Sequence, residues 1–530
     1  MKNQSKIILT ALLLGAANIQ AHTNKTFLMP RPVGVNLPME QTTFYELYKH
    51  KAPRNKGAGI NLQVAGFYQE STNGCELGKY FLVGEKSTIK LQAQETVDTK
   101  TGLGINTIST IADVDIGYLI HDFDLSVAEA EGLNIKNTTL SLDPQQKSYG
   151  VRLDYHQDLS AIIKGLYLSA HLPIVHVENK LGFRVSSLDK AAQQTFVDFF
   201  NGTFTQTDAS DLQVALTNAK MDCKKRSTSG VADLDLSLGY NFFDKECYAA
   251  SLAFAVTIPT GNRPTSQWVF EPIRGNGHHI GLGGDFYSFW RLWGDLKHNL
   301  KLTIDAKYRY LLEETQCRTL GIKGKTPDCS GCNLLGRPFG QYYLLGKQGQ
   351  NALIPAANIL TQSVDVTPRN QFDGIGGFTY NCHGFSFDVG YNLYYRDAEK
   401  IELQEEDKCK TSSSCDTDCP PCVTCPNVPL TPNTYAIAAR SFDTTVPFDI
   451  KNGAHLDGGL AGATIIGPDT IDFDAASTPQ QLTHSIYGGL GFQTSGSTCF
   501  MFGVGGKYEW PSTNSALEQW GVWGKVGLKI

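Results

Sequence analysis

From residue 300 to 310 apolar and polar positions alternate without a break. Leu300, Leu302, Ile304, Ala306, Tyr308 and Tyr310 fall on one face, and Lys301, Thr303, Asp305, Lys307 and Arg309 on the other. A period of two is the period of a β-strand. A strand buried inside a soluble sandwich could not turn four charges inward without partners. A strand with lipid outside and water inside carries them freely. The stretch 385–396 repeats the design, with Phe385, Phe387, Val389, Tyr391, Leu393 and Tyr395 against Ser386, Asp388, Asn392 and Arg396. So does 232–242, with Leu234, Leu236, Leu238 and Tyr240 against Asp233, Asp235, Ser237 and Asn241.

Segments of this kind recur at 58–70, 146–157, 162–175, 229–243, 247–260, 276–290, 298–313, 370–381, 384–402, 481–494, 498–510 and 519–530. That is twelve, an even number, as single-chain bacterial barrels require. The connections alternate between short, as at 158–161 and 382–383, and mostly long, as at 71–145, 176–228, 314–369 and 403–480. Short turns on one side and long loops on the other predict periplasmic turns and extracellular loops, with both termini on the turn side. A further hairpin at 88–94 and 102–111 would make fourteen strands. In the 176–228 loop, 191–200 and 211–221 read as short helices, and Phe196, Phe199 and Phe200 are placed to pack that loop.

The ends of the chain sharpen the class. Lys2 and Lys6 precede an apolar run at 7–17, and Ala21 offers a cleavage point before His22. That predicts a secretory signal peptide at 1–21. Residues 22–57 are punctuated by Pro30, Pro32 and Pro38 and have no period. They read as a periplasmic tail or small plug with an extended start. No stretch approaches the roughly 18 apolar residues of a membrane helix. At the other end, Trp520, Val522, Gly524, Val526, Leu528 and Ile530 point one way, while Trp523, Lys525 and Lys529 point the other. This resembles the C-terminal strand signature of Gram-negative outer-membrane barrels, which usually ends in an aromatic residue where this chain has Ile530. The resemblance implies an all-β fold: a transmembrane up-and-down antiparallel barrel over 58–530 in the cell outer membrane. Its last strand should pair with the segment near Ile60 to Tyr68.

Composition agrees. Hydrophobic residues are 41%, while Gly (52 residues) and aromatics (10%) are plentiful. A barrel needs only alternate residues apolar, so mean hydropathy stays low. A net charge of -6 argues against a nucleic-acid partner.

Thirteen cysteines are many for such a fold. Cys75, Cys223, Cys317, Cys329, Cys332, Cys409, Cys415, Cys419, Cys422 and Cys425 lie in the proposed loops. An exported chain meets an oxidising compartment, so the last eight are disulfide candidates. The Cys329–Cys332 and Cys419–Cys422–Cys425 spacings also suit a metal, but exposure to oxidation favours disulfides. Cys247, Cys382 and Cys499 fall at the turn ends of strands. No cofactor or metal site is expected.

Catalysis on a barrel wall needs its groups on one face of a strand. Barrel phospholipases set a His and a Ser two residues apart on one wall face. His278-His279 is followed by Ile280 and Gly281, and His484-Ser485 are adjacent and so face opposite ways. A non-enzyme is expected. The inward face carries Arg152, Asp154, Asp233, Asp235, Lys301, Asp305, Lys307, Arg309, Asp388, Arg396, Lys507 and Lys525. Mixed charges across a lumen tune the selectivity of a channel. Lys525 and Lys529 are expected to join Lys301, Lys307 and Arg309 on one lumen wall. The strand 254–261, ending Pro259-Thr260-Gly261, resembles porin-like outer-membrane transporters for aromatic compounds. The expectation is a porin-like channel or diffusion transporter for small solutes, with outer-membrane lipid as its surroundings. A structural barrel displaying its Cys-rich loops to a surface partner is the alternative, and a barrel hydrolase the third reading.

Overall fold

The computed structural model describes residues 23–43, 59–92, 114–115, 119, 138–209, 212–295, 297–323, 339–404, 430, 434–438, 447–449, 465–494 and 498–530. Twelve antiparallel strands close into a barrel: β1 (Ile60–Ser71), β2 (Gln145–Asp158), β3 (Leu166–Lys180), β4 (Leu234–Asp244), β5 (Tyr248–Ile258), β6 (Gly281–Gly294), β7 (His298–Leu311), β8 (Arg369–Cys382), β9 (Phe385–Arg396), β10 (Gln481–Gln493), β11 (Cys499–Pro511) and β12 (Gln519–Lys529). Each strand pairs with its neighbours in sequence. The ring shuts where β1 meets β12, in register from Asn61↔Lys529 to Ser71↔Gln519. All twelve expected segments are strands of the wall. The described part of 71–145 holds no wall hairpin. Its strand Thr88–Gln92 pairs instead with Thr138–Ser141 in a small loop sheet.

Alternation becomes burial. Along β12 buried residues alternate with exposed ones, Leu528 alone being half-buried. The exposed set is apolar: Val522 and Val526 there, Leu62 and Val64 on β1, Phe387 and Val389 on β9, Phe502 and Val504 on β11. A continuous apolar band around a closed wall is stable only against lipid. Aromatic residues edge it. Tyr68 and Trp520 pack with centroids 5.5 Å apart toward the loop end, and Phe385 and Phe492 at 4.9 Å toward the turn end. Amphipathic rings settle at such interfaces.

One strand is built in two pieces. The upper half of β3, Ile174 to Lys180, pairs with Lys225–Val231, and its lower half, Leu166 to His171, pairs with β4. Pro173 sits at the join and has no N–H to give. Its carbonyl accepts from Ala232 N at 2.9 Å. Asp233 follows and accepts from Asn276 N at 2.6 Å, which ties the break to the loop above β6.

Over the loop end lies a second core. Leu77, Tyr80, Phe196, Phe199, Phe200 and Tyr342 are fully buried there. Helix α2 (Gly74–Phe81) and α3 (Lys190–Asn201) feed it. Asp189 caps α3 through Ala191 N and Ala192 N, and Gly202 ends it at φ 82°. The expected second helix at 211–221 does not form. Its described residues run irregularly, because their backbone bonds go to neighbours: Gln213 N to Gln206 O, Val214 N to Leu353 O and Met221 N to Phe200 O. Leu216 and Met221 are buried by those contacts rather than by helical spacing.

Candidate functional site in the barrel lumen

The lumen is filled by the chain's own N-terminal segment. Residues 23–43 are buried almost throughout. At the loop end, Asn24 N donates to Leu82 O at 2.8 Å and Lys25 pairs with Asp474 at 2.7 Å. Near the turn half, Thr43 N donates to Asp388 Oδ2 at 2.8 Å. The segment therefore threads the barrel, and residues 24–28 lie at the loop end. The expectation that both ends of the chain sit on the turn side does not hold for them. A short helix, α1 (Leu37–Gln41), lies mid-lumen; Asn36 Oδ1 caps it through Met39 N at 3.2 Å.

Glycines in the wall make room for it. An added Cβ at Gly503 would lie 2.1 Å from Thr43 Oγ1, one at Gly491 2.3 Å from Thr43 Cγ2, and one at Gly489 3.0 Å from Thr42 Cβ. A Cβ at Gly505 would strike the Trp523 indole, whose Nε1 donates to Thr42 Oγ1 at 3.0 Å. Val33, Leu37 and Met39 pack against Phe67, Ile375, Tyr487 and Trp523.

Two charges of the segment meet the charged wall. The Glu40 carboxylate pairs with Arg152 and, at 2.6 Å, with Lys307. Arg152 also donates to Asp154 at 2.7 Å, and His171 Nδ1 lies 2.7 Å from Asp154. Arg31 pairs with Asp373 at 2.8 Å and Glu509 at 3.2 Å, donates to Asn392 Oδ1 at 3.1 Å, and lies over the Tyr394 ring. Lys507 joins Glu509 at 2.6 Å. Gln41 donates to Asp305 at 2.5 Å.

The twelve inward residues read from the sequence distribute around this segment. Arg152, Asp305, Lys307, Asp388 and Lys525 touch it directly. Arg309 does not. It spans Asp235 at 2.7 Å and Asp285 at 2.6 Å along its own stretch of wall. Lys301 leans over the Phe289 ring. Arg396 pairs at 3.1 Å with Glu399, which also faces Arg318 at 3.4 Å, and Arg318 stacks on Phe27 of the segment. Asp233 belongs to the strand break. Lys525 and Lys307 are not on one wall, as the sequence reading has it. They stand five strands apart around the ring, and both reach residue 40: Lys307 its carboxylate, Lys525 its carbonyl at 3.2 Å. The angular position around the ring follows only from closure.

Arg31 and Glu40 escaped the sequence reading because their segment has no period. The inward-facing glycines of β10 and β11 were the available signal, since a wall without side chains implies a bulky neighbour. A cavity of about 60 Å³ remains beside Glu40, Arg152, His171, Asp235, Lys307 and Arg309. That is room for a few waters.

Other expected groups fall elsewhere. Cys317 is buried and disulfide-bonded. Cys329, Cys332, Cys409, Cys415, Cys419, Cys422 and Cys425 lie outside the described residues, and Cys75 and Cys223 are free thiols. His279 is fully buried above β6, between Leu312 O at 2.8 Å and Gln316 Nε2 at 2.8 Å. Burial, and then the charge of Arg396, push its pKa down to about 4. The ring is neutral and structural in its contacts. His484 faces outward and is bonded to Tyr391 and, at 2.9 Å, to Ser512.

No family model matches the chain, and no curated relative does. Solved structures do. The COG4313 outer membrane channel from Pseudomonas putida F1 is 10% identical, over 91% of this chain and 98% of its own, at a TM-score of 0.33. The TodX deltaS2S3 mutant monoaromatic hydrocarbon channel is 8% identical, over 89% and 91%, at 0.32. A Pseudomonas aeruginosa FadL homologue is 8% identical, over 96% and 98%, at 0.27. The chain is similar to these proteins, and its own strand register makes it a closed twelve-stranded antiparallel barrel.

Proposed function

We propose that the protein is an outer-membrane channel or diffusion transporter for small solutes, held shut at rest by residues 23–43. The observation that carries this reading is the seating of the segment. Its Arg31 and Glu40 are matched by wall charges of opposite sign, and wall glycines leave room for Thr42 and Thr43. A barrel needing only to be closed could fill its lumen with wall side chains. A separate insert of one chain segment is a part that can leave.

With the segment displaced, the wall exposes Arg152 and Lys307 around the Glu40 site, and Asp373 and Glu509 around the Arg31 site. Fixed charges of both signs make a transverse field that favours small polar solutes over bulk lipid. Twelve strands leave a narrow bore once it is empty.

Planar-bilayer recording tests the proposal. The full-length protein should show rare or no openings, and a variant lacking 23–43 should conduct steadily. A folded deletion variant that passes no current and swells no liposomes overturns it. The second reading, a barrel that displays its loops to a surface partner, is favoured by the separate core over the loop end. It gains if liposome swelling stays at baseline while the loops bind a partner.

A further inference from the structure

At the turn end, two adjacent hairpin connections bring three soft donors together. His298 opens β7 and Cys382 closes β8, and they are direct cross-strand partners in the ladder. Side chains so paired have Cβ atoms roughly 5 Å apart. His383 follows Cys382 in a two-residue turn, with φ 47° at His383 and 92° at Gly384. Both values are those of the hairpin turn that usually takes Asn-Gly. One ligand atom from each of His298, Cys382 and His383 lies within 4.8 Å of the others. Cys382 Sγ is 3.8 Å from His383 Nδ1, and the two imidazoles meet edge to face with centroids 4.2 Å apart.

The scaffold under the cluster is firm. His383 N donates to Lys297 O at 3.0 Å, which staples the two turns together. Asp295 Oδ1 accepts from Lys297 N at 2.7 Å and His298 N at 2.8 Å, and Asn299 Nδ2 donates to Asp295 O at 2.7 Å. His298 and Cys382 are half-buried and His383 is exposed, so one ligand is free to rotate while two are held. Cys382 is a free thiol.

We propose that His298, Cys382 and His383 form a transition-metal site on the turn rim, taking Zn²⁺ or an ion of that class. Two imidazoles and one thiolate suit such an ion, and hard cations prefer oxygen. Bonds of about 2.0 to 2.3 Å in a tetrahedron put donors roughly 3.3 to 3.7 Å apart. The Sγ–Nδ1 separation is already near that, and rotation of the exposed His383 closes the rest. On binding, the Cys382 thiol loses its proton to solvent and the sulfur becomes a ligand. Three protein ligands leave a fourth position for water. The site is independent of the lumen and of the channel reading.

The test uses the tag-free, full-length barrel in detergent and Co²⁺ alone as the probe. Wild type should develop a thiolate-to-cobalt charge-transfer band that saturates at one equivalent and is displaced by Zn²⁺. Cys382→Ser should abolish the band, Cys247→Ser should leave it, and His383→Ala should move the midpoint to Co²⁺ at least about tenfold higher. Heat-modifiable gel mobility confirms that each variant is a folded barrel. His383→Ala alters only an exposed turn residue, and it decides the matter if Cys382→Ser does not fold. No band in wild type, a band that survives Cys382→Ser, or an unchanged midpoint in His383→Ala overturns the proposal.

Discussion

The carboxylate of Glu40 and the guanidinium of Arg152 pair inside the lumen with 2% of either side chain exposed. One belongs to the threaded segment and the other to β2, so this contact is lost whenever the segment leaves. Removing one partner of a buried pair costs about 3–5 kcal/mol. Glu40→Gln keeps the shape and removes the charge that Arg152 and Lys307 share. Even about 3 kcal/mol shifts the displaced population roughly a hundredfold. Limited proteolysis within 23–43 should accelerate accordingly, and channel openings should become frequent.

Wall glycines give a steric version of the same experiment. Gly503 faces inward, and its Cβ would meet Thr43 at 2.1 Å. Gly524 faces lipid, and its Cβ would meet nothing closer than 4.0 Å. Gly503→Val should weaken seating by roughly 1–3 kcal/mol, the usual cost of overpacking, and raise conductance. Gly524→Val, on the neighbouring strand, should leave conductance at the wild-type level. Equal behaviour of the two variants would mean that the segment is not held by this wall.

Most of the barrel was legible because lipid outside and a polar interior impose a period of two on every wall strand. Leu300 to Tyr310 shows this residue by residue: the alternate set lies outward, and Asp305, Lys307 and Arg309 lie inward. What escaped was set by closure and not by period. Whether Lys525 and Lys307 share a wall depends on how many strands separate them around the ring. Whether residues 211–221 coil into a helix depends on neighbouring loops that supply Leu353 O and Gln206 O. Arg31 and Glu40 lie in a Pro-punctuated stretch with no pattern of its own, so only the inward glycines opposite Thr42 and Thr43 carried a signal.

His279 predicts a pH dependence outside the membrane band. Its folded pKa is about 4, against 6.5 for the ordinary side chain. The folded state therefore holds the neutral ring, while the unfolded chain takes a proton more readily. Stability from this group is full above pH 6.5 and is lost as pH falls from there toward 4. The loss is on the order of 3 kcal/mol at most. The unfolding midpoint of wild type should fall across that window, and in His279→Gln the dependence should flatten. An unchanged slope in the variant would assign the pH sensitivity to other groups.

A covalent lock separates movement of the segment from its mere presence. The ideal Cβ at Gly489 lies 3.0 Å from Thr42 Cβ. Disulfides need about 3.5 to 4.5 Å between Cβ atoms, so a half-ångström shift admits the bond. Thr42→Cys with Gly489→Cys should crosslink on oxidation, tethering the segment to β10. The Glu40→Gln change added to that pair should then be silent under oxidising conditions, because the segment cannot leave. Reduction should restore its openings. Each single cysteine variant, carrying the same Glu40→Gln change, should conduct whether oxidised or reduced. If the oxidised triple variant conducts as freely as the reduced one, current does not pass where the segment lies, and the path must be sought elsewhere in the wall.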